Sequence, residues 1–187
     1  MSTNIKLDVD ELFFLAIKAS EKGDHEKAIL YLKEGSEIEG SARFYYLLGA
    51  EHAEIGMYDR AIEEIQKALD LEPTIWEGWF QLGLLNSMLN NMEKAEIAWK
   101  SLDQLGENNP LYFFKTSILL ASQDKWVEAE EWMNLGLEKE QSNLALANDM
   151  RRLLEQWQQK RGTEKEETES KDSEEDHLFL SAYKSTH

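Results

Sequence analysis

The sequence is poor in several residues that particular classes of protein require. None of its 187 residues is cysteine, which excludes disulfides, thiolate metal sites and thiol nucleophiles. Two prolines and ten glycines are too few for a fold of strands and tight turns. No run of about 18 apolar residues occurs, so we expect no membrane span. The first residues contain no basic stretch followed by an apolar run, so we expect no signal peptide. The lack of cysteine fits a reducing compartment, and we predict a cytoplasmic location.

Basic residues are also scarce relative to acidic ones. The chain has 20 Lys and Arg against 37 Asp and Glu, which gives a net charge of −17. Such a surface repels nucleic acid phosphates and anionic membranes and favours encounter with a basic partner. We therefore expect no nucleic acid partner.

Motifs that carry catalytic chemistry are missing as well. We find no phosphate-binding glycine loop, no nucleophile elbow and no H-E-x-x-H segment. The four histidines share no metal-ligand spacing; they are His25, His52, His177 and His187. We predict that the protein is not an enzyme and uses no cofactor or metal.

A repeated pattern occupies most of the chain. An alanine recurs with separations of 33, 34 and 34 residues, and a large apolar residue follows four positions after each one. This spacing places both residues on one face of a helix. The alanines are Ala28, Ala61, Ala95 and Ala129, and their large partners are Leu32, Ile65, Trp99 and Met133.

The two central units resemble the tetratricopeptide repeat, whose pattern is W-x2-L-G-x2-Y, then A-x3-F, then P over 34 residues. One unit matches at Tyr45, Leu48, Gly49, His52, Ala61, Ile65 and Pro73, and the next at Trp79, Leu82, Gly83, Asn86, Ala95 and Trp99. The resemblance covers roughly residues 9–143 and implies a non-catalytic module for protein–protein interaction. It implies an all-α fold: a short right-handed superhelical solenoid of about four helix-turn-helix units with a C-terminal capping helix.

The pattern divides the chain into three parts. We predict a solenoid over 1–161, an acidic disordered linker over 162–176 and a short apolar segment over 177–187. Within the solenoid the repeats are 9–41, 42–75, 76–109 and 110–143, and the capping helix is 144–161. The linker contains no apolar residue, so nothing in it offsets the entropy cost of ordering.

Four residues mark the turns inside the repeats. Gly23 and Gly56 stand where the first helix must reverse, and glycine accepts a positive φ at low cost. Asn90 and Asp124 occupy the same place in the later units, and Asn and Asp tolerate that conformation next best.

The candidate binding residues lie at two registers of the first helices. In the family, the first helix of each repeat lines a concave groove, so the resemblance implies an apolar, partly aromatic stripe there. The alternative is that these residues pack between adjacent repeats and never meet a ligand. They are Phe13, Tyr46, Phe80 and Phe114, followed one turn later by Ile17, Ala50, Leu84 and Ile118.

The chemistry of this stripe indicates the kind of ligand. Many chaperone-binding members of the family hold a C-terminal carboxylate with basic side chains, but here only Arg43 and Lys115 stand near the stripe, each isolated. We therefore predict an adaptor or chaperone-like module that binds another polypeptide, apolar or amphipathic with a basic flank. Two alternatives stay open: a chaperone of bacterial secretion translocators, and a structural assembly factor that self-associates.

The segment Leu178–Tyr183 is apolar and follows the acidic linker. About 15 flexible residues have an r.m.s. span of roughly 20 Å, which is enough for this segment to fold back onto the groove. Self-docking is one hypothesis, recruitment of a separate partner is a second, and a free end without a role is the third.

Overall fold

The computed structural model describes residues 7–140 and 142–167, with side chains described as far as Arg161. Every regular element in those residues is helical, which confirms the all-α prediction. The α-helices are α1 (Val9–Ser20), α2 (His25–Ile38), α3 (Ala42–Glu54), α4 (Tyr58–Leu71), α5 (Trp76–Met88), α6 (Met92–Lys100), α7 (Pro110–Ala121), α8 (Trp126–Lys139) and α9 (Leu144–Glu167). A 3₁₀ segment, Ser101–Asn108, follows α6.

Local sequence signals set where several helices begin. Asp8 caps α1, since its Oδ1 accepts from the Glu11 backbone N–H at 2.8 Å while Glu11 Oε2 accepts from the Asp8 N–H at 2.9 Å. Asn109 caps α7, and Pro110 at the first helical position lacks an N–H that would have stayed unpaired there. The Asn143 side chain accepts from the Leu146 N–H at 3.0 Å at the start of α9.

The turns within the repeats use the residues that the sequence indicated. Gly23 and Gly56 have φ values of 71° and 76°, and Asn90 and Asp124 have 61° and 60°. A positive φ reverses the chain directly after the first helix, so the second helix packs back against the first. The sequence position of this one residue therefore sets the length of the first helix.

The described residues form two compact units, which divide between Ala98 and Trp99. In the first unit, Gly49 on α3 permits the close approach of α4. A Cβ at Gly49 would stand 2.5 Å from Ile65 Cγ1 and 3.0 Å from the Ala61 carbonyl oxygen. Leu69 of α4 is buried in a cluster that includes Leu82 of α5.

The second unit contains the 3₁₀ segment and the helices α7, α8 and α9. Ser117 Oγ on α7 donates to the Ala129 carbonyl on α8 at 2.6 Å. The ring of Phe114 occupies the space that a Cβ at Gly136 would need. Arg161 on α9 pairs with Glu130 on α8.

The helix after the fourth repeat is longer than predicted. We expected it to end at residue 161, and α9 continues to Glu167. The residues that follow Gly162 are rich in Glu and Lys and contain no proline. Because these residues have good helix propensity, an established helix can propagate through them. The rest of the predicted linker, 168–176, and the segment 177–187 lie outside the described residues. The right-handed superhelix concerns the arrangement of all the repeats and stays a prediction.

Candidate functional site

The eight predicted stripe residues fall into two groups by exposure. Phe80, Phe114 and Ile118 are at most 1% exposed. A side chain without accessible surface cannot contact a ligand directly, so these three belong to packing, which corrects the prediction that they line a groove. The other five are partly exposed and lie in the first unit: Phe13, Ile17, Tyr46, Ala50 and Leu84. We call these five the first-helix surface, because they lie on α1, α3 and α5.

Phe13 forms one end of the first-helix surface. Its ring meets the Phe44 ring edge to face, with centroids 5.5 Å apart. The guanidinium carbon of Arg43 lies 4.8 Å from the Phe13 centroid and 5.2 Å from that of Phe44. An arginine plane over an aromatic face is a favourable cation–π contact. The rings therefore hold the charged group beside a partly exposed apolar surface.

Arg43 is also paired with carboxylates. Its Nη2 donates to Asp10 Oδ1 at 3.0 Å and approaches Glu39 Oε2 at 3.5 Å. Asp10 lies on α1 and Glu39 directly follows α2, so both carboxylates come from the preceding repeat. Lys115 is likewise placed against an acid and a ring, since it is buried beside Asp103 and lies 5.0 Å from the Tyr112 ring centroid.

Tyr46 lies near the middle of the first-helix surface. Burial raises the pKa of the Tyr46 phenol to about 12, and the nearby carboxylate of Glu77 adds to the rise. The hydroxyl therefore stays neutral at physiological pH and keeps its ability to donate a hydrogen bond. An apolar surface with one fixed polar group suits recognition of a polypeptide that offers both apolar side chains and a carbonyl.

Two exposed carboxylates lie near residues of the first-helix surface. The Asp10 side chain is 86% exposed, and Glu77 is exposed at the start of α5. With a chain charge of −17, the only basic group that the described contacts place against this surface is Arg43, and it already has acidic partners. The electrostatics therefore favour a ligand with positive charge next to its apolar part.

The histidines of the first unit have structural surroundings. His25 Nδ1 lies 2.8 Å from Glu51 Oε2, and Glu51 is 5% exposed. His52 is 2% exposed, and its Nδ1 has no hydrogen-bond partner among the described residues. Burial lowers the pKa of His52, and the positive charges of Lys33 and Arg60 add to this effect. His52 fills the core position where the repeat pattern has an aromatic residue.

The part of the chain that the structure describes contains neither a metal-binding cluster nor a helix that could cross a membrane. Over 7–140 and 142–167 we find no group of three or more His, Asp or Glu side chains arranged to hold a metal ion. Within the same ranges no helix combines the length and the apolar character that crossing a bilayer requires.

Comparisons with known proteins agree with this architecture. The tetratricopeptide repeat family model matches residues 42–75. The small glutamine-rich tetratricopeptide repeat-containing protein 2 of Saccharomyces cerevisiae is 28% identical over 105 residues, which are 55% of this chain and 30% of that protein. The chain thus spans about a third of the length of this curated relative.

Solved structures give the same answer for the fold. A tetratricopeptide repeat protein from Parabacteroides merdae has a TM-score of 0.67 at 18% identity, with 92% of this chain and 69% of that chain covered. MamA has a TM-score of 0.60 at 23% identity, with 70% and 77% covered. YrrB, described as a tetratricopeptide repeat protein with an unusual peptide-binding site, has a TM-score of 0.58 at 21% identity, with 82% and 79% covered.

The repeat register, the helix pairs and the family match over residues 42–75 support the resemblance to tetratricopeptide repeat proteins that was found in the sequence. At such identities the likeness to solved structures shows the fold alone. The family supports the coarse function of a protein–protein interaction module.

Proposed function

We propose that this protein is a non-catalytic adaptor or chaperone-like module whose first-helix surface binds an apolar or amphipathic polypeptide segment with a basic flank. One observation carries the proposal. The same two registers of α1 and α3 present partly exposed apolar groups, namely Phe13 with Ile17 and Tyr46 with Ala50. Such a repeated apolar strip can hold an extended segment or one face of a helix.

The charges support the choice of ligand. Asp10 and Glu39 pair with Arg43, which lies over the Phe13 ring, and the charge of Glu77 acts on Tyr46. A basic flank on the ligand would meet favourable potential, whereas an acidic peptide would be repelled. The YrrB comparison is consistent with peptide binding on this fold, although it is that protein whose peptide-binding site is described.

The test begins with selection of binders from a random peptide display library against the whole chain. We expect enrichment of peptides that combine large apolar residues with Lys or Arg. Affinity of a selected peptide is then measured for two variants, Ala50→Gln and Ile17→Ser. Two controls repeat the same chemical changes at exposed positions elsewhere, Ala145→Gln on α9 and Ile97→Ser on α6.

Glutamine at Ala50 would place a long side chain in the middle of the strip, and serine at Ile17 would remove apolar contact. We expect each to weaken binding by about tenfold, since a displaced hot-spot contact costs about 1–2 kcal/mol. The controls should leave affinity unchanged. If the control variants lose as much affinity as the strip variants, or if acidic peptides are enriched, the proposal is refuted.

A second candidate function is self-association. Phe14 on α1 is 58% exposed, and Lys18 of the same helix lies over its ring at 5.7 Å. The residue at the same register in the next repeat, Leu47, packs against the core cluster of the first two repeats. Sedimentation at increasing concentration tests this candidate: a dimer that Phe14→Ser abolishes would support it, and a monomer at all concentrations would exclude it.

A further inference from the structure

The pair α8 and α9 carries an open groove within the second unit. Its volume is about 460 Å³, and it is open to solvent. Leu137 of α8, which is partly exposed, and Leu154 of α9, which is 8% exposed, form the apolar part of the lining, and the other lining side chains are polar or charged. The other lining residues are Asn134, Glu138, Arg151, Glu155 and Gln158.

The repeat register indicates what would cover this floor. Leu137 lies 68 residues, or two repeat lengths, after Leu69. Leu69 is 1% exposed because its cluster contains residues from both helices of the following repeat, among them Leu82 of α5 and Ala98 of α6. Leu137 lines the groove together with α9, which stands in the register of α5, but it remains partly exposed. No described helix takes the place here that α6 takes beside Leu69. The groove is therefore open on that side.

The repeat that α9 begins has no second helix among the described residues, because the turn residue is missing. In each earlier repeat a residue with positive φ ends the first helix, and the last of these is Asp124. The register places the next such residue at Gln158, 34 positions later, but Gln158 lies inside α9. Glutamine has no preference for a positive φ, so the helix continues straight to Glu167. The chain that would have returned over Leu137 and Leu154 is instead carried past the groove.

We propose that the segment Leu178–Tyr183 of the same chain docks in this groove. Ten residues, 168–177, connect it to the end of α9. Their r.m.s. span is about 17 Å and their extended reach is about 33 Å. The groove at Leu154 lies 13 helical residues before Glu167, or about 20 Å along the axis. The segment can therefore return to the groove without strain.

The chemistry of the segment fits the groove. Leu178, Phe179, Ala182 and Tyr183 are spaced so that a helical turn would place them on one face. These residues could cover the partly exposed Leu137 in the manner of the second helix in earlier repeats. Residues 177–187 contain Lys184 and no acid, whereas Glu138 and Glu155 are exposed at the groove. The proposal is independent of the first-helix surface, which lies in the other unit.

The absence of cysteine from the chain allows a direct test by disulfide formation. One variant carries Arg151→Cys with Ser181→Cys, and a matched variant carries Asp149→Cys with Ser181→Cys. Both helix positions are exposed and almost equally far from Glu167, but they lie about 200° apart around α9, and only Arg151 lines the groove. Each rate of disulfide formation is divided by the reaction rate of the same helix thiol with a small disulfide reagent, which corrects for local charge.

Docking raises the effective concentration of the thiol at position 181 beside the groove. We expect the intramolecular disulfide between positions 151 and 181 to form at least about tenfold faster than that between positions 149 and 181. Adding Phe179→Ser and Tyr183→Ser should abolish the difference without changing either helix. Equal rates in the first pair would overturn the proposal. The proposal would also be overturned if position 151 still reacted faster after the serine substitutions, because the apolar side chains would then not hold the segment in the groove. Disulfide-linked dimers in place of the internal bond would overturn it too, because the occupant would then come from another chain.

Discussion

The close contact between α3 and α4 can be tested at Gly49. Alanine at this position should destabilise the first unit, although alanine normally favours a helix over glycine by about 0.8–1 kcal/mol. The new Cβ would lie 2.5 Å from Ile65 Cγ1, 3.0 Å from the Ala61 carbonyl oxygen and 3.2 Å from the Ile65 backbone nitrogen. Carbon atoms prefer separations of about 3.5–4.0 Å, so the two helices must move apart.

The size of the effect follows from what has to move. Two of the three nearest atoms belong to the backbone of α4, so a change of rotamer cannot relieve the clash. Overpacking of this kind costs about 1–3 kcal/mol, and a backbone shift lies at the upper end of that range. After the gain in helix propensity, we expect a net loss of about 2 kcal/mol. For a unit of this size the melting temperature would fall by about 8 °C or more.

Gly40 provides the matched control. A Cβ there would meet only Tyr45 Oη at 3.6 Å and the Ser36 carbonyl oxygen at 3.9 Å, which are ordinary contacts. Gly40→Ala should therefore leave stability unchanged or raise it slightly. Chemical denaturation of both variants, followed by circular dichroism, measures the difference in free energy of unfolding.

A double-mutant cycle separates the steric cause from other effects. Ile65 is fully buried, and Ile65→Ala should cost about 2–5 kcal/mol by itself. In the double variant the shortest contact, to Ile65 Cγ1, is removed, while the two backbone contacts remain. The loss of stability in the double variant should therefore be smaller than the sum of the two single losses, with a coupling of about 1 kcal/mol. The reasoning fails if Gly49→Ala is as stable as the wild type, or if the two losses are strictly additive.

Two further predictions concern the buried histidine His52 and the turn residues with positive φ. His52 is buried with a lowered pKa, so the unfolded state binds its proton more readily and stability should fall as pH drops below about 6.5. His52→Phe should remove part of that loss. Denaturation is measured at about pH 5.5 and pH 7.5, on either side of that value. If the variant and the wild type lose the same stability between these two pH values, the prediction is wrong. Asp124 has a φ of 60°, so Asp124→Gly should stabilise by up to about 1 kcal/mol. Gly56→Ala should destabilise by about 1–2 kcal/mol for the same reason; a melting temperature that moves in the opposite direction for either variant would show that the left-handed turn carries no strain.

The sequence predicted the elements well because the signals that define them are local. The turn residues lie at a fixed spacing and need a positive φ, which few residue types accept. The caps Asp8 and Asn109, which were not among the predictions, are local signals too, because each accepts from a backbone N–H within three positions. The family match over 42–75 coincides with the unit in which the sequence pattern is most complete.

The candidate site was only partly predictable. Phe80 and Phe114 share a register with Phe13 and Tyr46, yet the first two are buried and the latter two are partly exposed. Burial depends on which neighbouring helix reaches each side chain, and sequence register does not contain that information. Only a size difference between neighbours, such as Gly136 against Phe114, hints at which ring will be enclosed.

The sequence by itself determined the length of each repeat, the position of each reversal and the close approach at Gly49, because these follow from steric limits on single residues. Only the tertiary structure decided which stripe residues stay accessible, how Arg43 is stacked and paired, and that α9 leaves Leu137 and Leu154 beside an open groove. Each of these features depends on contacts between helices that are distant in sequence. The physical reason is that backbone conformation is a local property, whereas solvent exposure is a property of the packed chain.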